Sequence, residues 1–109
     1  ESEWLDGLPM SGSPSPTSLA FAKALRLARK ARGLTQEDFS VASGRTYISS
    51  LERGLKSPTL EKVTALAETL KIHPLAMLTL AYLHMQQNET LERLLAKVQK
   101  EAKEIKGKT

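Results

Sequence analysis

Apolar residues recur along this chain at helical spacing, and glycine and proline mark the breaks between one recurrence and the next. From Ser18 to Arg32, Phe21, Leu25 and Ala28 repeat at four and three, flanked by Ala24, Leu27 and Ala31. Lys23, Arg26, Arg29, Lys30 and Arg32 take the positions between, so the spacing predicts an amphipathic helix with a basic, largely solvated outer face. Thr17 or Ser18 is placed to cap it and Gly33 to close it. A second, short helix opens at Thr35, with Asp38 three residues on to reach back to the cap, as in a capping box. Phe39 and Ala42 are its apolar face, and Ser43-Gly44 stops it. A third helix runs from Arg45 or Thr46 to Arg53, with Ile48 and Leu51 as its apolar seam and Gly54 after its end.

Ser57-Pro58-Thr59 signals the next start, and Leu60, Val63, Leu66, Ala67 and Leu70 give a fourth helix. The fifth, from Pro74, reads PLAMLTLAYLHM; it is apolar on most sides and is expected to be buried. After Asn88 as cap, Leu91, Leu94, Leu95, Val98 and Ile105 mark a sixth helix with a leucine seam and a charged back. No segment reads as a strand, so the expected fold is all-α, a five- or six-helix bundle. Residues 1–18, rich in Ser, Pro and Gly and without periodicity, read as a flexible arm. Met10 within it would serve as an internal start if residues 1–9 were an extension, and Trp4 and Leu5 would either stay solvated or dock. The expected division is an arm over 1–18, a first unit over 19–73 and C-terminal helices over 74–109.

Composition narrows the function classes. With 109 residues the chain holds one domain, and with aromatics at 5% its core is expected to be Leu, Ala, Val and Ile. The absence of cysteine excludes a disulfide framework and a thiolate metal site. No apolar run approaches the roughly 18–20 residues that span a bilayer, so a cytoplasmic protein is expected. His73 and His84 lie apart beside apolar stretches, His73 placed as a cap before Pro74. No phosphate loop, metal-ligand cluster or nucleophile motif is present. The expectation is therefore a protein that is not an enzyme and uses no cofactor.

Charge changes the picture more. The formal net charge is +4, and its excess falls on residues 19–58, where Lys23, Arg26, Arg29, Lys30, Arg32, Arg45, Arg53 and Lys56 face only Glu37, Asp38 and Glu52. That distribution suits an anionic partner. Ser43–Leu60 sharpens it: a narrow apolar seam of Tyr47, Ile48 and Leu51 sits among cations and small hydroxyls, more polar decoration than core packing requires.

Two short helices joined by a glycine-containing turn, the second carrying hydrogen-bonding side chains, form the helix-turn-helix pattern. The segments LTQEDF and YISSLERGLKSPTLEKVTALAETL, between Leu34 and Leu70, resemble the Xre family, the phage-repressor and Cro-like regulators. The resemblance covers about residues 19–73 and rests on linked features: Leu-Thr-Gln opening the second helix, Ile-Ser-x-Leu-Glu-x-Gly in the third, and Pro-Thr-Leu starting the fourth. The turn before Tyr47 is shorter than is usual in that family and lacks its apolar residue.

The resemblance implies a regulator that reads double-stranded DNA with its third helix. Side chains entering the major groove must be short or flexible donors and acceptors, and Arg45, Thr46, Tyr47, Ser49 and Ser50 fit that need. Arg45 could address guanine O6 and N7, and Thr46 could offer its methyl group to thymine. Tyr47 has a second reading, as core. Thr35 and Gln36, at the start of the second helix, resemble the family's phosphate grip, and Arg53 and Lys56 lie where the duplex backbone should pass. Glu52, which phosphate would repel, is expected to pair with a base or cap a backbone group. Leu91, Leu94, Leu95, Val98 and Ile105 are expected to form a homodimer on a palindromic operator, unless the stripe packs on the chain's own helices. Repression is the expected action. The alternatives are an antitoxin or restriction-modification controller, with another regulatory protein as partner, and a coactivator module that has lost DNA binding.

Overall fold

The computed structural model describes residues 14–39 and 44–108. Five α-helices follow in order: α1 (Pro16–Ala31), α2 (Arg45–Glu52), α3 (Leu60–Leu70), α4 (Pro74–Met85) and α5 (Leu91–Lys106). Between α1 and α2 the described part of the expected second helix is a 3-10 turn, Gln36–Phe39. Ala42 and Ser43, expected at its end, lie outside the described residues. No strand occurs among the described residues, and no helix there is long and apolar enough to cross a membrane.

Helix α1 begins earlier than its pattern predicts. Ser15, rather than Thr17 or Ser18, is the cap, its Oγ accepting from the Ser18 N–H at 3.0 Å. Pro16 explains the shift: its fixed φ suits a helix start and it has no N–H to satisfy. Ser18 then falls in the first turn, buried, and shares a 2.6 Å hydrogen bond with the Ser57 hydroxyl. Residues 16–18 therefore belong to the helix and not to the expected arm. Trp4, Leu5 and Met10 lie outside the described residues. Helix α5 is capped by Thr90, whose Oγ1 accepts from the Arg93 N–H, and not by Asn88, which takes a left-handed turn at φ 65°. His73 caps α4 as expected, its Nδ1 accepting from the Leu75 N–H at 3.0 Å.

The core joins Phe21 and Leu25 of α1 to Phe39, to Ile48 and Leu51 of α2, to Leu66 and Leu70 of α3 and to Met77 of α4. Both phenylalanines and a methionine sit in it, so it is not the purely aliphatic core that composition suggested. Helix α1 is the hub, packing on α4 along one side and on α2 along the other. Helix α4 departs from expectation: only Met77 and Ala81 are buried, and Leu75 is 63% exposed. The helices α1 and α3 cover one face of α4. Its other face has only α5, none of whose residues is itself buried.

Three helices end on left-handed residues, α1 among them at Gly33, φ 70°, as expected. Gly54 closes α2 at φ 76°, with its N–H on the Leu51 carbonyl and that of Leu55 on the Ser50 carbonyl. Lys71 closes α3 in the same way at φ 60°, where a side chain costs about 1–2 kcal/mol. Replacing Lys71 with glycine should therefore raise stability by about 0.5–1 kcal/mol, as glycine's own unfolded-state entropy offsets part of the relief. Thermal unfolding of Lys71→Gly should show a midpoint a few degrees higher, and a lower midpoint would contradict this account of the turn.

Candidate nucleic-acid interface

Helix α2 has eight residues, too few to persist alone in water, so its position depends on what holds it. Ile48 and Leu51 anchor it in the core. Glu52 adds a polar anchor: only 3% exposed, its carboxylate takes Arg29 Nε on Oε2 at 2.6 Å and Arg29 Nη2 on Oε1 at 2.9 Å. Gln36 Nε2 donates to the same Oε1 at 3.0 Å, and Arg29 Nη1 donates to the Leu34 carbonyl. Arg26 completes the attachment, its Nη1 donating to the Glu52 carbonyl at 2.6 Å. The Arg29 guanidinium is held above its ordinary pKa, first by its hydrogen bond with Glu52, against an opposing desolvation, with further support from the carboxylate's charge.

The expectation that Glu52 pairs with a base is met. The basic face expected on α1 is exposed at Lys23, Arg26, Lys30 and Arg32, while Arg29 is half-buried, and its three arginines have structural partners that the sequence did not reveal. Arg26 and Arg29 clamp α2, and Arg32 donates to the Leu70 carbonyl at 2.9 Å, closing the end of α3. Their helical spacing places them on the flank of α1, where a long side chain can reach across to a neighbouring helix.

With one side fixed, α2 turns Arg45 and Thr46 outward; Ser49 stands half-buried on the same strip, which Arg53 continues just past the helix end. Arg45 also meets Glu37 at 3.2 Å in a solvent-exposed pair, an arrangement typically worth about 0–1 kcal/mol and so easily exchanged. A helix-turn-helix family profile matches residues 25–76, the span from α1 to the start of α4. The chain is also 40% identical over 53 residues to an uncharacterized HTH-type transcriptional regulator, y4dJ, of Sinorhizobium fredii (strain NBRC 101917 / NGR234). The match covers 47% of this chain and 69% of that relative. The chain belongs to the Xre-like helix-turn-helix family. No solved structure matches it.

The Xre-like unit does not bring all the expected site residues to one surface. Ser50 is corrected: it is 8% exposed, on the inward side of α2 beside Leu51, and so is not available to a duplex. Thr35 donates its N–H and its hydroxyl to Asp38 Oδ2, at 2.6 and 3.1 Å, so Asp38 reaches back as expected, while the Asp38 N–H goes to the Thr35 carbonyl and not to its hydroxyl. Gln36 is half-buried and committed to Glu52 through one amide hydrogen. Tyr47 is half-buried against the core, and burial raises its phenol pKa. The ammonium groups of Lys56 and Lys62 lie 5.6 and 5.3 Å from its ring centroid. Lys62 escaped the sequence reading because a lysine in the first turn of a helix looks like any solvated charge.

Away from this surface, α5 meets the body chiefly through α4. A groove of about 520 Å³ lies on one side, lined by residues that include Ala28, Ile72, Leu75, Leu91 and Leu95. A second, of about 370 Å³, runs past Tyr82, Leu94 and Val98. The stripe predicted from the leucine spacing is thus largely uncovered, out to Ile105 at 69% exposure.

Removing one partner of the buried pair leaves an uncompensated charge, so Glu52→Ala should lower stability by about 3–5 kcal/mol. The double variant Arg29→Met/Glu52→Leu should cost much less than the single variants Arg29→Met and Glu52→Leu summed, in a cycle with the wild type. Denaturant unfolding of these four proteins and of Glu52→Ala checks both, and additive losses in the cycle would show that the pair does not act as a unit.

Proposed function

We propose that this chain is a sequence-specific regulator of transcription that binds double-stranded DNA as a homodimer and represses by occupying promoter DNA. The observation that carries the reading is the strip of exposed Arg45 and Thr46 with half-buried Ser49 on a short helix fixed from behind by Glu52. A strip of that width suits the major groove, where arginine can pair with guanine O6 and N7 and a threonine methyl can meet thymine. Gln36 keeps a second amide hydrogen for a phosphate beyond the one it gives Glu52. Arg53 and Lys56, at the end of α2 and just after it, add cations along the path of the duplex backbone. The regulator named y4dJ supports the same reading by resemblance.

Dimerisation is part of the proposal because one short helix reads only a few base pairs. The uncovered stripe of Leu91, Leu95, Val98 and Ile105 supports it, with half-buried Leu94 seating α5 on its own body. The same uncovered stripe also suits the second reading, an antitoxin or restriction-modification controller that holds another protein there and regulates its own promoter.

Base-reading and backbone-holding residues should separate by substitution. Arg45→Ala should cost about 1–3 kcal/mol on the preferred sequence and relax the preference at one base pair. Lys56→Ala should weaken binding to all sequences alike. Fluorescence anisotropy on matched and mismatched duplexes checks both, and the assignment fails if Lys56→Ala alters base preference while Arg45→Ala does not.

A further inference from the structure

Tyr47 has a geometry that base reading does not explain. It stands in the first turn of α2, yet its ring is half-buried against the core cluster. Two ammonium groups converge on that ring: Lys56, from the loop after α2, at 5.6 Å, and Lys62, from the first turn of α3, at 5.3 Å. Either distance is within the range at which the ring quadrupole attracts a cation. Two like charges drawn to one ring also repel each other, and neither lysine forms an ion pair with a described residue. Burial raises the phenol pKa above its ordinary value, so the ring brings no negative charge of its own to balance them. Among the described residues, no anion pairs with either lysine.

We infer that Tyr47 is a positioning residue that holds Lys56 and Lys62 as a two-cation clamp on the DNA backbone beside the recognition helix. This deepens the DNA-binding reading and rests on it. A free lysine must lose the freedom of four rotatable bonds to meet a phosphate. A lysine already drawn over a rigid ring has lost part of that freedom before the duplex arrives. The ring belongs to α2, so the clamp moves with the helix that reads bases. It therefore aligns the backbone with the same element that enters the groove. The clamp favours a duplex backbone over a single small anion, because its lysines come from two separate segments and sit beside the outward strip of α2. Lys62 becomes a backbone contact, and Tyr47 acts through the lysines and not on a base.

Backbone contacts are read in the slope of log affinity against log salt, which falls by about 0.9 for each phosphate neutralised. The probe is a mixed-sequence duplex titrated with the full chain over a series of salt concentrations. Lys62→Ala should shallow the slope by about one unit per bound protomer. Tyr47→Leu, which keeps apolar bulk but removes the ring, should shallow it as well. Tyr47→Phe, which keeps the ring, should retain the wild-type slope. An unchanged slope for Lys62→Ala overturns the clamp, as does a Tyr47→Phe slope as shallow as that of Tyr47→Leu. If Tyr47→Leu loses its helical circular dichroism, the Lys62→Ala and Tyr47→Phe slopes decide alone. Wild-type protein with no salt-dependent affinity for the duplex overturns the DNA-binding reading itself, a result distinct from an altered slope in a variant.

Discussion

The salt bridge between Arg29 and Glu52 is the contact on which the presented surface depends. Helix α2 is two turns long, and its intrinsic helix stability is negligible at that length. Ile48 and Leu51 give it an apolar seat, but burial is non-directional and permits rotation about the helix axis. The bidentate guanidinium–carboxylate pair removes that freedom, because two parallel hydrogen bonds fix orientation as well as distance. Gln36 and Arg26 tie the preceding turn and the backbone of α2 to the same point. A pair this buried gives up hydration, so its value lies less in net stability than in holding one arrangement of α1, the turn and α2. The strip of Arg45, Thr46, Ser49 and Arg53 inherits its aim from that arrangement.

Much of this was legible in the sequence because helical periodicity and end signals are local. The extents of α2, α3 and α4, the cap at His73, the turn at Gly54 and the pairing of Thr35 with Asp38 all follow from residues within a few positions of one another. The family resemblance, carried by the segments from Leu34 to Leu70, agrees with the profile match over residues 25–76. The roles of Arg26, Arg29 and Arg32 were not legible, because each is set by a partner more than twenty residues away. Ser50 was misplaced for a related reason: in a helix of two turns, a shift of one position separates a solvent-facing serine from an inward one. The two lysines over Tyr47 come from different segments, and no pattern along the chain brings them together.

The apolar character of α4 and α5 points the other way, toward what this fold leaves open. A helix that is apolar all round belongs in an interior. Here α4 is covered on one face only, and the helix sent to cover the other keeps most of its own stripe in solvent. Grooves of about 520 and 370 Å³ flank the contact between them. A second copy seated there would bury what one copy leaves exposed, and it would place two recognition helices about a two-fold axis. Under the proposed homodimer, operator symmetry would originate in the uncovered faces of the C-terminal pair.

The most direct measurement is selection of bound sequences by the intact protein from a random pool of duplexes, since it reports on DNA binding, symmetry and spacing together. The account predicts enrichment of an inverted repeat whose half-site centres lie about one helical turn, roughly 10 bp, apart. A pool that emerges without enrichment, or enriched only in unpaired single half-sites, would contradict it.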